Sequence, residues 1–198
     1  MRHREELAQS IARLIVSDNM PWTLARERVM QASSRYANMP NAAEIESAVR
    51  ENFALFKPEK HAQSLLRKRR IALDVLHVLK EFDAYLAGAV LNGAAHDESN
   101  IRIEVFCDDV KAVEVALMDR QIEFDAIDPE PGSAIASDES LGLLIPTGRE
   151  SFEGVRIEIC STKAKRSNPY KSTPDAWQQP WEAAGRIDAR TLSKVLNV

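Results

Sequence analysis

The sequence contains no CxxC pair, no GxxxxGK[ST] phosphate loop, no GxSxG elbow and no apolar run of the roughly 18 to 20 residues a membrane helix needs. Its two cysteines, Cys107 and Cys160, each end an apolar run, and its histidines, His3, His61, His77 and His96, fall at no metal-ligand spacing. These absences argue against a zinc module, a Walker-type NTPase and the common serine hydrolases, and they point to cysteines packed in the core. The start, Met1-Arg-His-Arg-Glu-Glu6, leads into an amphipathic pattern and not into an apolar signal core, so a cytoplasmic address is expected. A net charge of -4 gives no global attraction for nucleic acid, so any such contact must come from a local basic surface.

What is present is the composition of a globular chain, 44% hydrophobic and 28% charged over 198 residues. Apolar residues recur at helical spacing in Leu7, Ile11, Leu14 and Ile15, and this predicts a first helix over 5–17 that stops before Pro21. Thr23 is the expected N-cap of a second helix running to Tyr36, and a turn at Asn38-Met-Pro-Asn41 follows. Asn41 with Glu44 three residues later forms a capping-box start for a third helix to Phe56, and Pro58 opens a longer fourth. Past Phe82 the period shortens towards two. Strands are expected over 85–91, 100–107, 121–127, 141–146 and 154–160, with a helix over 109–119 capped by Asp108 or Asp109. The loop 128–140 is Pro- and Gly-bearing, residues 161–185 read as irregular, and Asp188 caps a short last helix.

The expected fold class is therefore α+β, with helices and strands following a small helical lobe. The division is 1–57 helical lobe, 58–160 sheet domain and 161–198 irregular tail with a short helix.

The stretch richest in chemistry is Tyr85 to Cys107, read as strand, glycine turn, strand. Asn100, Arg102 and Glu104 alternate there with Ile101, Ile103 and Val105, so the three polar side chains share one sheet face. The order helix, strand, glycine turn, strand, helix, strand, strand, carried by Gly88-Ala89, Gly93 and Ser99-Asn100-Ile101-Arg102-Ile103, resembles the minimal core of polymerase-beta-like nucleotidyltransferases over residues 62–160. In that family a Gly-Ser turn holds nucleotide phosphates, and a Ser-Asp-hydrophobic-Asp strand holds Mg²⁺, often with a third carboxylate on a later strand. The resemblance implies a nucleotidyltransferase-like mixed β-sheet with packed helices over 58–160, and a nucleotide- or phosphate-binding set of Gly88, Ala89, Gly93, Asn100 and Arg102, with Glu104 and Glu158 as candidate catalytic carboxylates.

Here Ala89 replaces the serine, Asn100 the first aspartate and Arg102 the second. Magnesium needs hard oxygen ligands, and a guanidinium supplies none, so no cofactor is expected, and Mg²⁺ enters only if Glu104 and Glu158 hold it. Arg102 is expected either to pair with Glu104 or Glu158 or to hold a phosphate in place of the metal. The chain is also similar, through Gly88-Ala-Val90, Asn92-Gly93 and Phe106-Cys-Asp-Asp109, to a group of bacterial proteins sometimes labelled UDP-N-acetylmuramate–alanine ligase. The missing phosphate loop gives that activity no support.

The leading expectation is a catalytically degenerate, regulatory protein that binds a nucleotide, a phosphate or a partner. The alternatives are an active Mg²⁺-dependent nucleotidyltransferase with a non-standard carboxylate site and a purely structural interaction module. An RNA contact is expected through Arg67, Lys68, Arg69 and Arg70 together with Lys163, Lys165 and Arg166 only if the two clusters adjoin, and a solvated helix face is the simpler reading of the first. Trp177 and Trp181 suggest either a tail packed on the domain or a surface for a protein partner. His96 reads as an exposed loop residue.

Overall fold

The computed structural model describes residues 2–32, 39–130 and 133–198. The helical lobe forms largely where local chemistry predicts it, but the second helix already includes Trp22, so Thr23 lies inside its first turn and is not its N-cap. α1 (Arg2–Asp18) and α2 (Trp22–Ala32) bury Ala8, Ile11, Ala12, Ile15 and Ala25 against α3 (Ala42–Phe56). Asn41 Oδ1 accepts from the Glu44 N–H at 2.9 Å, and the Glu44 carboxylate accepts from the Asn41 N–H at 2.7 Å, which completes the capping box. α4 (Pro58–Val78) begins with its proline in the first turn, where the missing N–H costs nothing. The expected end of the second helix at Tyr36 and the turn residue Asn38 lie outside the described residues. No helix among the described residues is long and apolar enough to cross a membrane.

A six-stranded mixed sheet follows, so the chain is α+β. It contains β1 (Asp83–Ala87), β2 (Ile101–Phe106), β3 (Asp125–Ile127), β4 (Glu139–Pro146), β5 (Phe152–Cys160) and β6 (Arg186–Ile187), in the order β3-β4-β5-β2-β1-β6. β2 and β5 are parallel, and every other neighbouring pair is antiparallel. Three short helices complete it: α5 (Gly88–Asn92), α6 (Val110–Met118) and α7 (Ala189–Leu196), the last capped by Asp188 as expected.

The expected strand over 85–91 is corrected. The chain leaves the sheet at Ala87, Gly88 takes φ +70, and Val90 and Leu91 enter the core from α5 instead. A left-handed residue cannot continue a ladder, and glycine adopts it without a Cβ penalty. The strand over 121–127 is likewise shorter, with only Asp125–Ile127 pairing.

One face of the sheet is apolar. Ile101, Ile103 and Val105 of β2 join Val155, Ile157 and Ile159 of β5 in a core completed by Leu73 and Leu76 of α4 and Leu192 of α7. The alternate positions give the other face Arg102, Glu104, Arg156 and Glu158, covered by residues 133–135 and by Tyr170. The tail is thus more than an irregular appendage, because it supplies β6 and part of the cover. Cys160 is buried in that second layer, while Cys107 is only half-buried.

Candidate functional site

The polar face is built by register. Arg102 stands opposite Arg156, and Glu104 opposite Glu158, on adjacent parallel strands. Each strand therefore presents Arg-x-Glu with both side chains on one face. Arg102 Nη2 lies 3.4 Å from Glu104 Oε1, and Arg156 donates from Nε to Glu158. Each carboxylate is met by the guanidinium two residues before it on its own strand.

The two carboxylates differ in what else they touch. Glu158 also accepts from the Ser140 hydroxyl. Burial pushes its carboxyl up, but the hydrogen bonds from Ser140, Ser137 and Arg156 outweigh this and hold it below the ordinary range. Glu104 is 1% exposed, and among the described residues neither oxygen finds a hydrogen-bond partner. Burial there prevails over Arg102 and over Arg186 Nη1 at 3.9 Å and raises its carboxyl.

Arg102 is the centre of the cover. Its side chain is 12% exposed, with Nη1 donating to Glu130 Oε2 at 2.8 Å and Nη2 to Ser133 Oγ at 2.7 Å. Its guanidinium lies 5.3 Å from the Tyr170 ring centre, and the Tyr170 hydroxyl meets Ser133 Oγ at 3.0 Å and the Ala134 N–H at 2.9 Å. The aliphatic stem of Arg102 lies over Gly88, with Cβ and Cδ both 3.4 Å from where a Cβ would stand. The glycine turn is therefore overlaid by the chain's own arginine.

The other residues of the expected phosphate set scatter. Asn100 is exposed, and its Oδ1 lies so close to Gly154 that a Cβ there would meet it at 2.2 Å. The Ala89 carbonyl accepts from Ala94 and Ala95 and closes α5. Gly93 caps the same helix at φ +83 and adjoins Glu182 and Arg50, on the helical side of the sheet. Of that set, Gly88 is the residue that Arg102 meets, while Ala89 and Gly93 meet each other in the closing turn of α5.

The solvated reading of Arg67–Arg70 is corrected for two of its members. Lys68 is 1% exposed and ion-paired with Glu153 while donating to the Ser99 carbonyl, and Arg69 pairs with Glu182 at 2.5 Å. Lys68 therefore sits by the start of β2 and β5, whereas Lys165 pairs with Asp83 beside Phe106, at the far end of β2. The two basic clusters do not adjoin, because the length of β2 separates them. His96 is half-buried with a lowered pKa from burial, and its Nδ1 accepts from the Glu98 N–H within a turn.

Sequence reasoning missed Arg156, Arg186, Ser140 and Tyr170. The Arg156-x-Glu158 repeat of Arg102-x-Glu104 was visible as a pattern, but nothing local marks Arg186 or Tyr170 as facing β2. Among the described residues, no group of three His, Cys, Asp or Glu side chains stands where it would hold a metal ion. The carboxylates do not fit Mg²⁺, since a cation between them would face Arg102 and Arg156. No protein-family model matches the chain, and neither the curated proteins nor the solved structures contain a match.

Proposed function

We propose that this chain is a catalytically degenerate relative of the nucleotidyltransferase fold that acts by binding and not by transfer. The observation that carries the proposal is the doubled Arg-x-Glu arrangement. Two-metal phosphoryl transfer needs carboxylates free to share cations between attacking and leaving oxygens. Glu104 and Glu158 instead face fixed positive charges within the protein, and the glycine turn lies under the stem of Arg102.

A regulatory oxyanion contact at Arg102 is the form of binding that this face favours. Its Nη1 already donates to a carboxylate, that of Glu130, which reaches in from an exposed position. A phosphate arriving there would compete with Glu130 for the same donors.

The test is a transfer assay with each labelled nucleoside triphosphate, Mg²⁺ or Mn²⁺, and RNA or protein acceptors. The expected result is no product above a chain-free blank. Metal-dependent transfer abolished by Glu104→Gln would instead establish an active enzyme.

A further inference from the structure

On the opposite side of the sheet, α3, α4, the end of α7 and the tryptophan-bearing tail line an open surface cavity of about 470 Å³. That volume falls in the range of roughly 300 to 1,000 Å³ typical of small-molecule sites. Its walls are Ala54, Ala62, Leu65, Leu66, Trp177 and Trp181. Trp177 remains 45% exposed and Leu66 40%, so two large apolar side chains face the opening.

The charged groups at the base of this cavity are already engaged, and their engagement explains why the wall stands where it does. Arg50 on α3 pairs with Asp175 at 2.7 Å, and Asp175 Oδ1 accepts from the Trp177 N–H at 2.8 Å. Arg69 on α4 pairs with Glu182, whose other oxygen accepts from the Gln179 N–H at 2.7 Å. Arg69 further donates to the carbonyls of Val90 and Leu91, at 3.0 and 3.1 Å, and its guanidinium lies 4.5 Å from the Trp181 ring centre. Two arginines on two helices thus clip the tail on either side of Trp177, and each clipped acid fixes a backbone turn. The aromatic wall is ordered in advance, which removes part of the entropy cost of binding.

His61 also lines the cavity. Its ring stacks on Phe53, with centroids 3.8 Å apart and planes 1° from parallel, and Nε2 lies 3.0 Å from the Ala95 carbonyl. A carbonyl only accepts, so Nε2 carries the proton and Nδ1 is left as an acceptor. Burial lowers the pKa of this ring and so favours the neutral form that the arrangement needs.

We propose that this cavity binds an uncharged, planar aromatic molecule, flat against the tryptophan wall, with a hydrogen-bond donor directed at His61 Nδ1. The acidic partners offset Arg50 and Arg69, which removes the attraction for an anion. The aromatic and aliphatic walls favour a flat apolar body with a single polar edge. The site is independent of the polar face of the sheet and stands whether or not that face transfers nucleotides.

N-phenyl-1-naphthylamine, uncharged, with a flat naphthyl body and one N–H, is a suitable probe, because its fluorescence rises in apolar surroundings and tryptophan can excite it. Titration of the full chain is expected to saturate at one probe per chain. Leu66→Glu and Trp177→Ala are each expected to weaken binding by about tenfold or more, the loss of one buried apolar contact or aromatic anchor. Ala62→Trp, which fills the cavity, is expected to abolish it. Leu144→Glu, at an exposed position on β4, should leave it unchanged. Circular dichroism checks that each variant is folded, and Leu66 is exposed enough to accept a glutamate. Non-saturating uptake, or equal affinity in folded Leu66→Glu and wild type, overturns the proposal.

Discussion

Glu104 and Glu158 stand opposite one another on parallel strands, yet their surroundings push their ionisation in opposite directions, Glu104 upwards and Glu158 downwards. Stability linked to Glu104 is fully present below its ordinary value of 4.5 and is lost as pH rises through the raised folded pKa. Stability linked to Glu158 is present above 4.5 and is lost as pH falls through the depressed folded pKa. Glu158→Gln is therefore expected to cost about 1 to 3 kcal/mol at neutral pH, with the difference shrinking in acid, because a buried bonded acceptor loses its charge. Glu104→Gln is expected to be neutral or stabilising at pH 7. Urea denaturation across pH 3 to 8 checks both, and identical pH profiles for the two variants would refute the assignment.

The buried pair of Lys68 and Glu153 joins α4 to the start of β5. Lys68→Met alone is expected to cost about 3 kcal/mol, since it leaves the buried Glu153 carboxylate to the more exposed Arg67. Lys68→Met combined with Glu153→Leu should recover most of that loss, because two well-packed apolar groups replace a desolvated ion pair. A double-mutant cycle in denaturant measures the recovery. Additive losses would show that packing, and not charge pairing, determines the cost.

At Arg102 the oxyanion is provided by Glu130. Glu130→Ala frees Nη1, so inorganic phosphate is expected to raise the melting temperature of this variant more than that of wild type. Adding Arg102→Gln should remove the gain. A phosphate effect that persists without Arg102 would place the ion elsewhere.

Two glycines with positive φ separate conformational cost from contact cost. Gly88→Ala is expected to lose about 1 to 2 kcal/mol, the left-handed penalty, since the nearest Arg102 atoms are at ordinary contact distance. At Gly185 a Cβ would stand 2.6 Å from the Lys171 nitrogen and 2.9 Å from the Tyr170 carbonyl carbon. Gly185→Ala is expected to cost more than about 3 kcal/mol, because backbone must move as well. The same denaturation measurements rank the two, and equal losses would contradict the difference in packing.

The sequence by itself determined what depends on near neighbours. The capping box at Asn41 and Glu44, the proline start of α4, the Asp188 cap and the alternation through β2 each rest on residues within a turn or a strand of one another, and all are present. The α+β class followed from those periods. Only the tertiary structure decided which residues meet across the chain. It put Arg156-x-Glu158 beside Arg102-x-Glu104, brought Tyr170 and Arg186 over them from the tail, and turned Val90 and Leu91 into a helix. It also drew Lys68 and Arg69 out of a run that reads as a solvated surface. The physical reason is that side-chain periodicity reports which face a residue takes within its own element. Strand register and the partner of a buried charge are set by long-range packing, which no local pattern encodes.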